Sequence, residues 1–236
     1  MKRGSTLFGC FLGVFALITS LAAQQPPAGA PQSPQSPQGG RAGAPPAGPP
    51  PPPTPSKCDF LDGTTARYKV GEQLVGVSFA SEAVGSTQAV NGSLMLAADG
   101  VINPAQSKIT VDLKTLKSDQ ALRDGYLQRN VLQTDKFPTL EFVPKRTAGL
   151  PSPFPNAQRP QAMGLQLVGD MTLHGVTSEV TWNVVTTVSG EAISGRAITS
   201  FPFSTFSLTK PTVPLLLSAE DKIQLEVEFR CKRTPL

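Results

Sequence analysis

The chain has 236 residues, 21 Lys+Arg against 17 Asp+Glu, a formal net charge of +4 and a single histidine. With Lys2 and Arg3 set aside as part of a leader, the basic count falls from 21 to 19 against 17 acidic residues, a net +2. So small and scattered an excess excludes an extended nucleic-acid surface or a strongly anionic partner, and one histidine leaves little material for a metal centre or general-base chemistry.

The first residues have the layout of a secretory signal peptide: basic Lys2 and Arg3, an apolar run from Leu7 to Ile18, and the small-residue pattern Ser20-Leu21-Ala22. Cleavage is expected after Ala22, giving a signal peptide over 1–22. The alternative is an uncleaved anchor, although the run falls short of the roughly twenty apolar residues of a membrane span. From 23 to 57 Pro, Gly, Ala, Gln and Ser dominate, with Pro49 to Pro53 unbroken and Arg41 the one charge before Lys57. Such a segment buries too little apolar surface to offset its ordering entropy and reads as a disordered spacer. The remaining chain, 58–236, suits one domain.

Two cysteines remain beyond the leader. Cys58 is placed just before the first strand and Cys231 at the end of the last. In an exported chain such a pair reads first as a disulfide, here stapling the ends of the domain.

Beyond residue 66 the apolar period is two. Val75, Val77 and Phe79 alternate with Gly76 and Ser78, and Ile109, Val111 and Leu113 with Thr110 and Asp112. Leu165, Leu167, Met171 and Leu173 share one parity; Val180, Trp182 and Val184 repeat the pattern, as do Ile223, Leu225, Val227 and Phe229. This is the mark of antiparallel strands with one dry face and one wet face. Asp99-Gly100 signals a hairpin turn, Asn91-Gly92-Ser93 and Glu220-Asp221 read as turns, and Pro144 to Met163 reads as a long Pro-rich loop. Many short strands divided by turn residues argue a barrel or a sandwich. Only Ser118 to about Asn130 has helical spacing, with Leu122, Tyr126 and Leu127 on one side and Ser118 or Asp119 able to cap the start. Arg123 and Asp124 on that helix are adjacent, so they do not face each other; their expected task is to hold the helix to the sheet.

These residues carry a resemblance. Arg123-Asp124-Gly125-Tyr126-Leu127, then Asp135-Lys136-Phe137-Pro138-Thr139-Leu140-Glu141-Phe142, then Gly169-Asp170-Met171-Thr172-Leu173-His174-Gly175-Val176-Thr177 are similar to successive signatures of the YceI-like family. Ala66 to Val70 and Phe203 to Leu208 follow the same order, and the match spans about 66 to 232. The resemblance implies an all-β fold: an extended antiparallel eight-stranded lipocalin-like β-barrel with a short helix inserted between strands. It further implies an apolar tunnel holding a polyisoprenoid or similar long-chain amphiphile, in proteins that are mostly exported by bacteria and in some cases dimeric. The chain departs from the family where histidines are expected: Gly71-Glu72-Gln73-Leu74 and Ser81-Glu82-Ala83 stand in their place, and Tyr126 replaces the histidine of the Arg-Asp motif. Those losses bear on head-group contacts and not on the barrel.

The expected function is therefore sequestration of a polyisoprenoid-like lipid in the bacterial periplasm or outside the cell, without catalysis and with no cofactor beyond the lipid. Tunnel residues are expected at Val77, Phe79, Leu113, Phe142, Leu173, Trp182 and Phe206, with Leu122, Tyr126 and Leu127 closing one end. Expected partners are the hydrophobic ligand, transient contact with a membrane and a second copy of the chain; nucleic acid is not among them. A competing reading is an envelope interaction domain with a solid core, displayed on its spacer. A third makes His174 the base of a small-ester hydrolase, which requires a hydroxyl within reach of its ring; parity places His174 outward at the Gly175 turn, as a structural residue.

Overall fold

The computed structural model describes residues 54–151, 154, 159–214 and 216–236. The signal peptide read at 1–22 and nearly all of the spacer read at 23–57 lie outside the described residues. Eleven strands are described: β1 (Ser56–Phe60), β2 (Thr65–Leu74), β3 (Ser81–Thr87), β4 (Val90–Leu96), β5 (Lys108–Asp112), β6 (Lys117–Ser118), β7 (Thr139–Ala148), β8 (Gln161–Leu173), β9 (Val176–Ser189), β10 (Ala192–Phe201) and β11 (Leu216–Pro235). One helix, α1 (Ala121–Tyr126), sits between β6 and β7. β1 begins at Ser56, inside the stretch read as spacer, and Cys58 lies within this strand.

The ladder β1-β4-β5-β7-β8-β9-β10-β11 returns to β1, a closed antiparallel ring of eight strands. β2, β3 and β6 extend it. β2 continues β1 along the same edge of β11, which pairs with β1 over Cys231 to Pro235 and with β2 over Leu216 to Glu228. β3 pairs with β2 as β4 pairs with β1, and β6 reaches β3 at Gly85–Ser118. The barrel is thus eight long antiparallel strands, three of them interrupted.

Each interruption has a local cause. Between β1 and β2, Gly63 adopts φ +87°, and buried Thr64 uses its Oγ1 to donate to the Leu61 carbonyl (2.8 Å) and to accept from Arg230 N–H (3.2 Å). The hydroxyl replaces ladder bonds that the bulge removes. Between β3 and β4, Thr87 Oγ1 meets Thr115 Oγ1 at 2.5 Å and accepts from Ala89 N–H. After β5 the chain enters a 3-10 turn, Leu113–Thr115, where Asp112 Oδ1 accepts from Lys114 N–H at 2.9 Å.

The period-two reading holds along the long strands: Met171, Leu173, Val180, Trp182, Val184 and Val188 are buried, and the residues immediately beside each of them are half-buried or exposed. Glu226 breaks the simple rule. It lies on the outer face of β11 yet is only 4% exposed, because Arg196, Lys69 and Arg67 converge on its carboxylate. Burial alone would raise its pKa, but the hydrogen bond and charge of Arg196, with Lys69, hold it below the usual carboxylate value.

Four expectations are corrected. The alternation at Val75, Val77 and Phe79 is not a strand: β2 ends at Leu74, Gly76 turns the chain at φ +79°, and Val77 N–H closes back on the Leu74 carbonyl. Asn91-Gly92-Ser93 is not a turn but part of β4, where Gly92 is needed for close approach; a Cβ there would stand 2.1 Å from the Lys108 carbonyl oxygen. Glu220-Asp221 lies within β11 at a register shift, and Asp221 accepts from Phe203 N–H at 3.1 Å. The Pro144–Met163 loop is shorter than read, since β7 runs to Ala148 and β8 starts at Gln161. The Asp99-Gly100 turn is present, with Ala97 N–H bonded to the Val101 carbonyl and a bridge between Leu96 and Ile102.

Candidate functional site: a narrow apolar cavity

One end of the barrel is plugged. The residues after α1 form a single wide turn, Leu127–Val131, so the helical segment is α-helical only to Tyr126. Tyr126, Leu127 and Val131 join Phe201, Phe203 and Phe206 in one cluster, with the Phe201 and Phe206 rings edge-on at 4.8 Å. The helix has no side-chain cap: neither Ser118 nor Asp119 caps it, and Gln120 stands at its start. Asp124 instead reaches back to β6, where its Oδ1 accepts from Ser118 N–H (2.8 Å) and Ser118 Oγ (2.6 Å). Arg123 bonds Glu72 Oε1 on β2 at 3.0 Å and also pairs with Asp119. The two adjacent charges thus point to different elements, and both tie the plug to the barrel.

Above the plug is a cavity of about 180 Å³ with an almost wholly apolar wall. On β11 its lining runs from Leu225 to Cys231, six residue steps or roughly 20 Å along the strand. So small a volume spread over such a length is a narrow bore. At the plugged end it is bounded by Tyr68, Leu113 and Leu116; at the other by Phe60, Ile193, Phe154 and the cysteines. Cys58 and Cys231 form a disulfide, with Cα atoms 5.6 Å apart, joining β1 to β11 in the cavity wall. At this same end Ile102, Thr147 and Leu150 line both the bore and a surface depression that carries Asp99 and Arg146.

Polar side chains also enter the apolar wall: Thr147 and Thr186 carry hydroxyls, with Thr186 Oγ1 donating to the Ser194 carbonyl at 3.0 Å, and Trp182 and Tyr68 add a ring nitrogen and a phenol. Trp182, 6% exposed, packs edge-on to Phe142 at 6.0 Å, and its Nε1 is buried without a hydrogen-bond partner among the described residues. The Tyr68 hydroxyl is equally buried and lies beside the Ser118 side chain at the plugged end. Burial pushes the Tyr68 pKa up to about 12, against the pull of neighbouring Arg123 and of a hydrogen bond with the Ser118 side chain. The ring has room because residue 85, directly opposite on β3, is glycine: a Cβ there would lie 2.3 Å from Tyr68 Cε1.

Of the residues read from sequence as tunnel lining, the structure puts Leu113, Phe142 and Trp182 in the cavity wall. Leu173 and Phe206 are buried below it, in the packed cluster of the plugged end. Tyr126 and Leu127 pack against that cluster, but Leu122 is 90% exposed, because the helix turns that position outward. Val77 and Phe79 do not line the bore; they follow the Gly76 turn outside the sheet, and Phe79 is 72% exposed. Tyr68, Leu225, Val227 and Phe229 were missed as wall residues although their parity was readable: Leu225 and Val227 pair across to Tyr68 and Ala66.

His174 sits in the two-residue turn between β8 and β9 with φ +53°, followed by Gly175 at +76°, the positive-φ pair that tight hairpins require. Its ring packs edge-on against Phe137 at 4.8 Å. Both ring nitrogens are buried with no hydrogen-bond partner among the described residues, so no hydroxyl stands ready for it to activate. No group of three or more His, Cys, Asp or Glu side chains among the described residues is placed to hold a metal ion.

A model of the YceI-like domain matches residues 62–231. The chain belongs to the YceI-like family. Solved structures with the same fold include a polyisoprenoid-binding domain from Saccharophagus degradans implicated in plant cell wall breakdown (10% identity, TM-score 0.53, covering 75% of this chain and 98% of that one). BcnA of Burkholderia cenocepacia is similar (12% identity, TM-score 0.51, 71% and 95%), as is the YceI protein of Campylobacter jejuni (16% identity, TM-score 0.50, 68% and 88%). No curated protein matches the sequence. Family membership accounts for the order of the motifs: the Arg-Asp segment supplies the plug tethers, and the Gly169–Thr177 segment supplies a strand and its hairpin.

Proposed function

We propose that this protein is a non-enzymatic carrier that holds a polyisoprenoid or similar long-chain amphiphile in the barrel. The observation that carries the reading is the bore itself, closed at one end, apolar along roughly 20 Å of strand, and narrow enough to favour a slender chain over a broad ring system. Burying such a chain contributes about 0.8 kcal/mol per methylene before entropy costs, so affinity does not depend on the histidines this chain lacks. Likeness to a fold that includes a polyisoprenoid-binding domain supports the same reading. The cavity weighs against the solid-core display alternative, and the sealed ring of His174 weighs against an esterase.

The Cys58–Cys231 disulfide supports residence in an oxidising compartment, in line with the signal peptide read at the amino terminus. Transient membrane contact, from which a lipid of this kind is drawn, and self-association belong to the same proposal. The test is direct: the protein is purified under mild conditions, extracted with organic solvent and examined by mass spectrometry. A co-purifying lipid with one extended hydrocarbon chain is expected. An empty extract, with no uptake of an added prenyl quinone or fatty amphiphile, overturns the proposal.

A further inference from the structure

Two lengths of chain without a charged residue, 73–81 and 211–219, meet at the plugged pole of the barrel. Leu74 pairs with Leu216 and Gln73 with Ser218, where β2 ends and β11 begins. Just beyond, Asp221 accepts from the N–H of Phe203, a member of the plug cluster. Of the nine large apolar side chains exposed among the described residues, four belong to these two lengths: Val75, Phe79, Val213 and Leu217, of which Phe79 and Leu217 are 72% and 69% exposed. A fifth, Leu122, stands out from α1 next to Arg123, whose guanidinium bonds Glu72 at the edge of the first length. Apolar residues scattered singly over a surface need no explanation, whereas a group gathered at one pole marks a contact.

The turn that presents Val75 and Phe79 is braced from within. Gly76 reverses the chain at φ +79°, Val77 N–H bonds the Leu74 carbonyl, and Gln73 Nε2 donates to the Val77 carbonyl. The Gln73 amide supplies a partner that water would otherwise provide, so this part of the turn keeps its hydrogen bonds when its outer side is dried. Charge and size together choose what dries it. Glu72 is paired with Arg123, and the other charges that bound the two lengths are Glu82, Lys210 and Glu220. They leave no basic excess, so nothing here draws an anionic head group. Four or five side chains also fall well short of the roughly 20–30 residues a side that a stable protein pair engages. What such a pole does fit is the uncharged interfacial zone of a bilayer, where a few apolar side chains and an aromatic ring gain by shallow burial.

We infer that the plugged pole docks on a zwitterionic lipid bilayer through Val75, Phe79 and Leu217, with Leu122 beside them, so that α1 faces the membrane and the disulfide rim points away from it. The choice of a bilayer rests on the carrier reading above, since a long-chain lipid is drawn from one. Docking deepens that reading by naming the surface that makes the contact and the orientation it imposes.

The experiment follows flotation of the full protein with phosphatidylcholine vesicles, with circular dichroism confirming the fold of every variant. A leader retained on the chain is common to all variants, so their differences report on the pole. The double variant Phe79→Ser with Leu217→Ser is expected to lower partitioning by about tenfold or more, and added salt to change wild-type binding little. Two tryptophan probes read the orientation: Phe79→Trp, and Val101→Trp on the exposed Asp99-Gly100 turn at the rim. With brominated phosphatidylcholine, emission of Phe79→Trp is expected to be quenched. Val101→Trp is expected to match the wild type, whose only tryptophan, Trp182, is buried. No vesicle binding by the wild type, binding only to anionic vesicles, equal binding by the double variant, or quenching at 101 in place of 79 overturns the inference. Uptake of a prenyl quinone from cyclodextrin, without vesicles, is measured alongside. Uptake with failure on vesicles leaves the carrier reading standing without this docking pole, and vesicle binding without uptake removes the carrier reading but keeps the pole.

Discussion

At the scale of single residues, the site depends on what is missing at position 85 as much as on what is present at 68. A methyl group on Gly85 would stand 2.3 Å from the Tyr68 ring, a contact that only displacement of the ring relieves. Gly85→Ala is expected to cost about 1–3 kcal/mol of unfolding free energy, read by urea titration. In a Tyr68→Ala background the same change should cost far less; equal costs in both backgrounds would show that the ring is not what Gly85 serves. The pair also shows how much the sequence discloses. That Tyr68 belongs to a strand was readable from Ala66–Val70, and its inward parity follows from its neighbours. That its ring and hydroxyl are buried over β3 depends on a glycine from that strand, and no local pattern announces that. His174 is the reverse case: Leu-His-Gly-Val at the end of an alternating run was enough to read a turn residue, and its φ of +53° agrees.

At the scale of elements, α1 is the part least able to stand alone. It has six residues, a glycine at position 125 and no side-chain cap, so its own propensity is too weak to hold it. Its order comes from Arg123 on Glu72, Asp124 on Ser118, and the apolar contacts of Tyr126 and Leu127. Arg123→Met keeps much of the side-chain volume but strands Glu72, only 10% exposed, without its cation. A loss of about 1–3 kcal/mol is expected. Amide exchange over 121–131 should accelerate more than exchange in β8 and β9; uniform acceleration would refute a local tether. The tethering task was legible because adjacent helical residues cannot face each other. The stretch Val75–Phe79 was misread for an equally physical reason. Five residues that alternate around a glycine satisfy the strand period, yet the same glycine, at positive φ, makes the turn that ends β2.

At the scale of the molecule, closure is the central fact. β1 and β11 come from opposite ends of the domain and complete the ring, and Cys58–Cys231 secures them across a sequence separation of 173 residues. Loop-closure entropy for so long a loop gives about 5 kcal/mol as an upper figure, and bridges of this kind deliver about 2–5 kcal/mol. The double variant Cys58→Ser with Cys231→Ser is expected to lose stability in that range by denaturant titration, whereas an unchanged midpoint would mean that strand pairing alone closes the ring. Eight strands could be anticipated from periodicity together with the family motifs. The three interruptions could not, because they rest on hydroxyls such as Thr64 and Thr115 meeting groups distant in sequence.

The covalent seam also sets the kind of discrimination the protein can exercise. A ring of paired strands locked where its first and last members meet behaves as a hoop of fixed circumference, so guests are screened by girth and not by reach. If the protein carries a methyl-branched chain as proposed, one that passes one cross-section of the bore is expected to pass the next, with surplus length leaving beside Phe154 and Leu150 at the unplugged rim. On the proposed carrier function, fused rings are expected to be refused at the threshold, however greasy they are. Release of a carried ligand is, for the same reason, expected along the axis of the barrel and not through the bridged seam of β1 and β11.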